Sequence, residues 1–133
     1  MSKKVKKMEF GEVRWGTTET SKKDNIVLVV VTNFEAYHFW KKAPKEVKFL
    51  RNPHRHIFGV RLFIEVSEKD RELEFFMVQR VLKKFCDRNY KGKTFSKSCE
   101  MIASEIKKYI NRKYKKCCSV AVYEDKENGA IVS

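Results

Sequence analysis

The sequence predicts one α+β domain in which two strands, two helices and two further strands follow one another. The chain has 133 residues, of which 42% are hydrophobic and 13% aromatic, so it can build one core but is short for two domains. Apolar residues alternate with polar ones in the first half and recur every three or four residues in the middle. We expect residues 1–25 to form a basic arm or an added edge strand, and residues 26–133 to form the domain.

The first two strands are predicted on either side of a polar loop at residues 41–53. Residues 26–32 are almost entirely apolar and β-branched, and the run continues to His38, as expected of a strand buried on both faces. Between residues 55 and 66 most apolar residues lie two apart, which is the period of a half-buried strand.

The two helices are predicted where the spacing of the apolar residues changes from two to three or four, and a hairpin is predicted after them. Residues 72–85 predict an amphipathic helix, whose apolar positions are Leu73, Phe76, Met77, Val81, Leu82 and Phe85. Ser98 is expected to cap a second helix, whose apolar stripe is Met101, Ile102, Ile106, Tyr109 and Ile110. A final hairpin is predicted, with short strands at residues 119–123 and 130–132 on either side of a turn.

Charge and cysteine content narrow the function classes. The 30 Lys and Arg outnumber the 17 Asp and Glu, giving a net charge of +13 that favours anionic partners such as nucleotides, nucleic acids or acidic surfaces. The lysines are scattered along the chain and form no Arg-rich cluster, so nucleic-acid binding is a weaker alternative than binding of a small anion. No two of the four cysteines have zinc-knuckle spacing, and the adjacent pair Cys117 and Cys118 can hardly bridge to itself, so we expect neither a Cys-rich metal site nor a disulfide framework. Because no apolar run approaches about 18 residues and the start lacks a signal-peptide core, we expect a cytoplasmic protein without a membrane segment.

The histidines are the most informative residues. His38, His54 and His56 are the three histidines of the chain, and they lie within 19 residues. His54 and His56 leave the same face of the second strand, and His38 lies beside them if the two strands pair. Three converging imidazoles form a zinc site with an open fourth position, whereas the alternative is three unrelated polar side chains.

Four short segments then carry a resemblance to a known family. They are FEAYH at residues 34–38, HRH at 54–56, SCE at 98–100 and VYE at 122–124. In this order they resemble the signatures of the 6-pyruvoyl- and 6-carboxy-tetrahydropterin synthase family over roughly residues 26–132. The resemblance implies a tunnelling fold, in which a four-stranded antiparallel sheet (ββααββ) carries two helices on one face and oligomerisation, often to a hexamer, closes a barrel.

The resemblance also implies roles for individual residues. It implies that His38, His54 and His56 hold zinc and that Glu124 accepts hydrogen bonds from the N–H groups of a pterin or guanine edge. A carboxylate facing two parallel donors makes a charge-assisted pair, which gives this role a physical basis. The segment Ser98, Cys99 and Glu100 matches further ligand-binding positions. From the residues alone, Glu124 is better explained as a solvated turn residue, and Glu127 is a second candidate in the same hairpin. Glu100 can equally serve as an acid that stabilises the start of the helix.

The proton-transfer groups of the synthases are largely missing. Leu50 stands where the family has its cysteine, and Arg88 stands where it has a histidine, although Asp87 matches its aspartate. Cys86 and Cys99 remain weak catalytic candidates because both are predicted near helix ends, and a helix start can lower the pKa of the Cys99 thiol.

Three functions therefore remain open from the sequence. The first is a binding protein that holds a guanine- or pterin-like ligand in a metal-bearing pocket between subunits, with the high positive charge favouring a phosphorylated or cyclic signalling nucleotide. Small lysine-rich versions of this fold also occur in bacteriophages, which suggests sequestration of an immune signal. The second is a zinc-dependent synthase-like lyase of pterin or deazapurine synthesis, and the third is a basic nucleic-acid-binding accessory protein.

Overall fold

The computed structural model describes residues 24–133, which form an α+β domain with a curled mixed sheet and three helices. All but two residues of the predicted basic arm, 1–25, lie outside the described part of the chain. The elements are β1 (Ile26–His38), a 3₁₀ helix (Lys45–Arg51), β2 (His54–Val66), α1 (Phe75–Asn89), β3 (Thr94–Phe95), α2 (Cys99–Tyr114), β4 (Cys118–Glu124) and β5 (Gly129–Val132).

The sheet has five strands in the order β3-β1-β2-β4-β5. Pairing is antiparallel from β1 through β2 and β4 to β5, whereas β3 lies parallel to the end of β1. The expectation of a purely antiparallel four-stranded sheet is therefore wrong about β3. That strand has two residues and so leaves no periodic pattern in the sequence, and its pairing is fixed by backbone bonds that Tyr37 and Phe39 donate to the carbonyls of Lys93 and Phe95.

The first strand is buried on one face only, in contrast to the prediction. Its side chains alternate between buried and exposed from Val29 to His38, and Val29 and Val31 remain 51% and 47% exposed. The reason is that α1 packs against one side of β1, and among the described residues no layer covers the other. The apolar run thus builds a half-buried strand with an apolar outer face.

Helix α1 begins and ends later than predicted. The Glu74 side chain caps it by accepting from the backbone N–H groups of Phe76 and Met77, at 3.2 and 3.0 Å. Phe76 and Met77, two of the apolar positions from which the helix was predicted, are 61% and 63% exposed and lie off its buried face. The buried residues are spaced four apart, which puts them on one helical face: Val78, Leu82 and Cys86.

Helix α2 follows the prediction closely. The Ser98 hydroxyl accepts from the Met101 N–H at 3.2 Å and caps the helix, as expected. Met101 itself is exposed, whereas the stripe through Ile102, Ile106 and Ile110 is buried. The core lies between this stripe, α1 and the covered face of the sheet. Among the described helices, none combines the length and apolar character required to cross a bilayer.

Candidate metal centre

Strand pairing brings the three histidines together at one end of the sheet. His38 lies opposite His54, and Ala36 lies opposite His56 in the β1–β2 register. Because His54 and His56 are two residues apart, both side chains leave the same face as His38. One ring nitrogen from each histidine lies within 4.8 Å of the others, which is close enough to hold a metal ion. The predicted convergence is therefore confirmed.

Each imidazole is oriented by a hydrogen bond at Nδ1. The partners are the Lys97 carbonyl for His38 at 2.9 Å, the Asn52 carbonyl for His54 at 2.8 Å and Asp125 Oδ2 for His56 at 2.5 Å. A carbonyl oxygen only accepts, so Nδ1 of His38 and His54 must carry the proton. The neutral rings then present the lone pair of Nε2. Metal-bound histidines are held in this way by their second nitrogen.

The Nε2 atoms have the environment of ligand atoms. Those of His54 and His56 are buried and have no hydrogen-bond partner among the described residues. A buried polar atom without a partner is costly, and a cation would satisfy it. Burial also lowers the pKa of His38, opposed by its bond to the Lys97 carbonyl and by Glu124, so the neutral ligating form is favoured. The residues fit zinc, whose identity as the metal stays a prediction.

Glu124 lies directly beside the histidines. It ends β4 opposite Phe58 of β2, which places its side chain next to the triad on the same face of the sheet. Its Oε2 is 3.1 Å from His38 Nε2, and its Oε1 is 3.5 Å from His56 Nε2. The side chain is 32% exposed, so one part of the carboxylate remains accessible from solvent.

Asp125 is a site residue that the sequence reasoning missed. Its two oxygens bind the His56 ring and the backbone N–H of Ile57, the latter at 2.9 Å. The bond from Ile57, followed by that from His56, lowers the pKa of Asp125. Its φ of 52° lies in the left-handed region, which an aspartate tolerates in a turn. The available signal was an acidic residue at the start of a hairpin turn, but its pairing with His56 depends on the β2–β4 register.

The start of α2 reaches the site through one residue. Cys99 is buried, and its Sγ lies 3.9 Å from Glu124 Oε2. Burial, followed by the neighbouring Glu124, raises the pKa of the Cys99 thiol to about 12, which corrects the expectation of a lowered pKa at the helix start. Ser98 is used as the helix cap, and Glu100 is exposed. Their predicted ligand contacts stay predictions.

The other catalytic candidates lie elsewhere in the molecule. Cys86 is fully buried in the core, and burial raises its pKa to about 12. Asp87 pairs with Lys83 at 3.5 Å on the same helix, with its Oδ1 buried and lacking a hydrogen-bond partner among residues 24–133. Within residues 24–133, the polar contacts of the histidines involve neither Cys86 nor Asp87.

The comparisons with known proteins add no family to this description. No protein-family model matches the chain, and no curated protein matches it.

Proposed function

We propose that this protein binds a guanine- or pterin-like ligand, in the form of a phosphorylated or cyclic nucleotide, at the metal-bearing end of its sheet, without synthase turnover. The observation that carries this proposal is the position of Glu124. A partly exposed carboxylate next to three metal-type histidines offers two acceptor oxygens to the paired N–H donors of a guanine or pterin edge.

The loop between His38 and His54 supports an anionic aromatic ligand. It starts and ends at two of the metal-site histidines, so both of its ends lie at the site. Its exposed cations suit phosphates: they are Lys41, Lys42, Lys45, Lys48 and Arg51, against the single acid Glu46. Trp40 and Phe49 in the same loop are 52% and 69% exposed, and such rings stack on bases.

The absence of turnover is proposed from the side chains at the proton-transfer positions. Leu50 has no titratable group, and the guanidinium of Arg88 is a donor without acceptor atoms, so it cannot replace a histidine as a general base. Cys86, which lies nearby in sequence, is a buried thiol with a raised pKa and is therefore a poor nucleophile. Losing general acid–base groups costs about a hundredfold or more each.

We further propose that the chain assembles as a tunnelling-fold homo-oligomer, with a hexamer favoured. Within the described residues, β1 is an edge strand except at Tyr37 and His38, where β3 pairs with it. Pairing with another copy along this edge would satisfy its open backbone groups, and closure into a barrel would enclose the exposed face that carries Val29 and Val31. Light scattering at micromolar concentration should give a multiple of 15.8 kDa, and a monomer mass would exclude the assembly.

Calorimetry of the zinc-loaded protein with guanine nucleotides, cyclic dinucleotides and pterins tests the ligand proposal. At least one of these should bind, and Glu124→Gln should weaken binding by about 1.5 to 3 kcal/mol, because an amide replaces a charged acceptor. Glu127→Gln is the matched control, since Glu127 is exposed in the same hairpin.

Two further assays distinguish the alternatives. Robust conversion of dihydroneopterin triphosphate would replace the binding proposal with the synthase-like lyase. No small-molecule binding together with retention of DNA or RNA in gel shifts would replace it with the nucleic-acid function.

A further inference from the structure

Glu124 and the histidines form a set of acceptors with no donor between them. His38 and His54 each donate from Nδ1 to a backbone carbonyl, and His56 Nδ1 lies 2.5 Å from the carboxylate of Asp125. In the neutral rings each Nε2 is then an acceptor. A carboxylate 3.1 Å from the Nε2 of His38 brings two acceptors to hydrogen-bond distance of each other.

A proton on His38 Nε2 would satisfy only the contact of that ring with Glu124, and it would leave the buried Nε2 atoms of His54 and His56 without a partner. A single divalent cation satisfies all three nitrogens and the carboxylate together. The cation is therefore the better solution for a cluster whose ring nitrogens are largely shielded from water.

The distances also match a coordination shell. Ligand atoms about 2.0 Å from a tetrahedral zinc lie about 3.3 Å from each other. Glu124 Oε2 is 3.1 Å from His38 Nε2 and Glu124 Oε1 is 3.5 Å from His56 Nε2, on either side of that value. The carboxylate therefore already lies at ligand-to-ligand distance from two of the three ring nitrogens.

We infer that Glu124 is the fourth metal ligand, so that the site in the ligand-free protein is a closed His₃Glu set and not an open three-histidine site. This inference does not depend on the proposed nucleotide. If the proposed nucleotide also binds through Glu124, this carboxylate must leave the metal. Metal coordination and nucleotide binding are then coupled through one side chain.

Metal titration of the full chain, stripped by a chelator, tests this inference with zinc alone. Glu124→Gln should bind zinc at least tenfold more weakly than the wild type, whereas Glu127→Gln should match the wild type. Equal zinc affinity of the two folded variants would overturn the inference. Circular dichroism verifies that each variant is folded.

A second measurement needs no variant and so does not depend on folding of Glu124→Gln. Cobalt(II) replaces zinc in the wild-type protein, and azide is added while the visible absorption is followed. A closed set should leave the spectrum unchanged at azide concentrations that saturate an open site. Azide binding to the wild type would show an exchangeable fourth position and overturn the inference. Neither measurement uses a nucleotide. The metal-ligand inference can therefore be overturned while calorimetry still detects nucleotide binding, and nucleotide binding can be absent while the inference holds.

Discussion

The two ends of β2 differ in character although they share one alternating pattern. At one end Val60, Leu62 and Ile64 are fully buried against the helices and present no polar side-chain atom. At the other end the same face of the strand presents His54 and His56, whose rings are oriented by the hydrogen bonds that they donate to the loop and the hairpin. Burial of apolar surface explains the choice of residues at the first end. It does not explain the imidazole side chains at the second end.

Phe58 marks the boundary between the two ends. Its ring stacks on Phe34 of the core at a centroid distance of 5.1 Å, and it meets the rings of His38 and His56 edge-on at 5.1 and 5.6 Å. The apolar end therefore provides a rigid wall for the histidines. Stability and metal binding should therefore be separable by substitution at the two ends of β2.

The largest expected effect is on stability at the apolar end. Leu62→Ala removes a fully buried side chain from the centre of the sheet and should lower the free energy of unfolding by about 2–5 kcal/mol. Chemical denaturation measures this loss. The zinc bound per folded chain should not change, and a loss of zinc from folded Leu62→Ala would contradict the separation.

The next effect is the stabilisation that zinc provides at the histidine end. Free zinc at a hundred times its dissociation constant should stabilise the wild type by about 2.7 kcal/mol. Thermal melts with and without zinc should show this shift in the wild type and lose it in His54→Ala. An equal zinc shift in both proteins would place the metal elsewhere.

Asp125→Asn should give a smaller change, confined to metal affinity. The substitution keeps the shape of the side chain but removes the charge that faces the His56 ring, and loss of such an orienting partner typically weakens metal binding by about 10–100-fold. Competition with a chromophoric chelator measures the affinity. Asp87→Asn is the control, because Asp87 pairs with Lys83 on α1 and should leave zinc binding unchanged.

The smallest effect is a pH dependence at the apolar end. Bonds from Lys116, Ser67 and Glu68 lower the pKa of Glu72 to about 2 from its ordinary value of 4.5. Because the folded state holds the carboxylate charged, the stability it contributes is present above about pH 4.5 and is lost as the pH falls toward 2. The free energy of unfolding of the wild type should therefore exceed that of Glu72→Gln above about pH 4.5, and the difference should disappear as the pH falls toward 2. Chemical denaturation at a series of pH values measures this difference, and a constant difference down to pH 2 would contradict the assignment.

Part of this molecule follows from local sequence pattern. The histidine triad was predictable because His54 and His56 lie two apart and the long β1 and β2 pair as neighbours. The Ser98 cap was predictable because a hydroxyl residue precedes a periodic apolar segment. These features depend on spacing along the chain and on the pairing of successive strands.

The remaining features depend on long-range register. Asp125 reaches His56 only because β4 pairs with β2 and the turn adopts a left-handed conformation. The exposure of Phe76 and Met77 depends on where α1 begins, and the exposed face of β1 on which layers cover the sheet. Periodicity alone does not determine these positions.

The metal content of the chain tests the central claim most directly. Elemental analysis of protein purified without chelators, followed by zinc titration of the stripped protein, should give one zinc per chain. The variant His38→Ala with His54→Ala and His56→Ala should bind none while remaining folded by circular dichroism. Stoichiometric zinc in this triple variant, or no zinc, iron or nickel in the wild type before or after titration, would contradict the assignment of a metal centre to these three histidines.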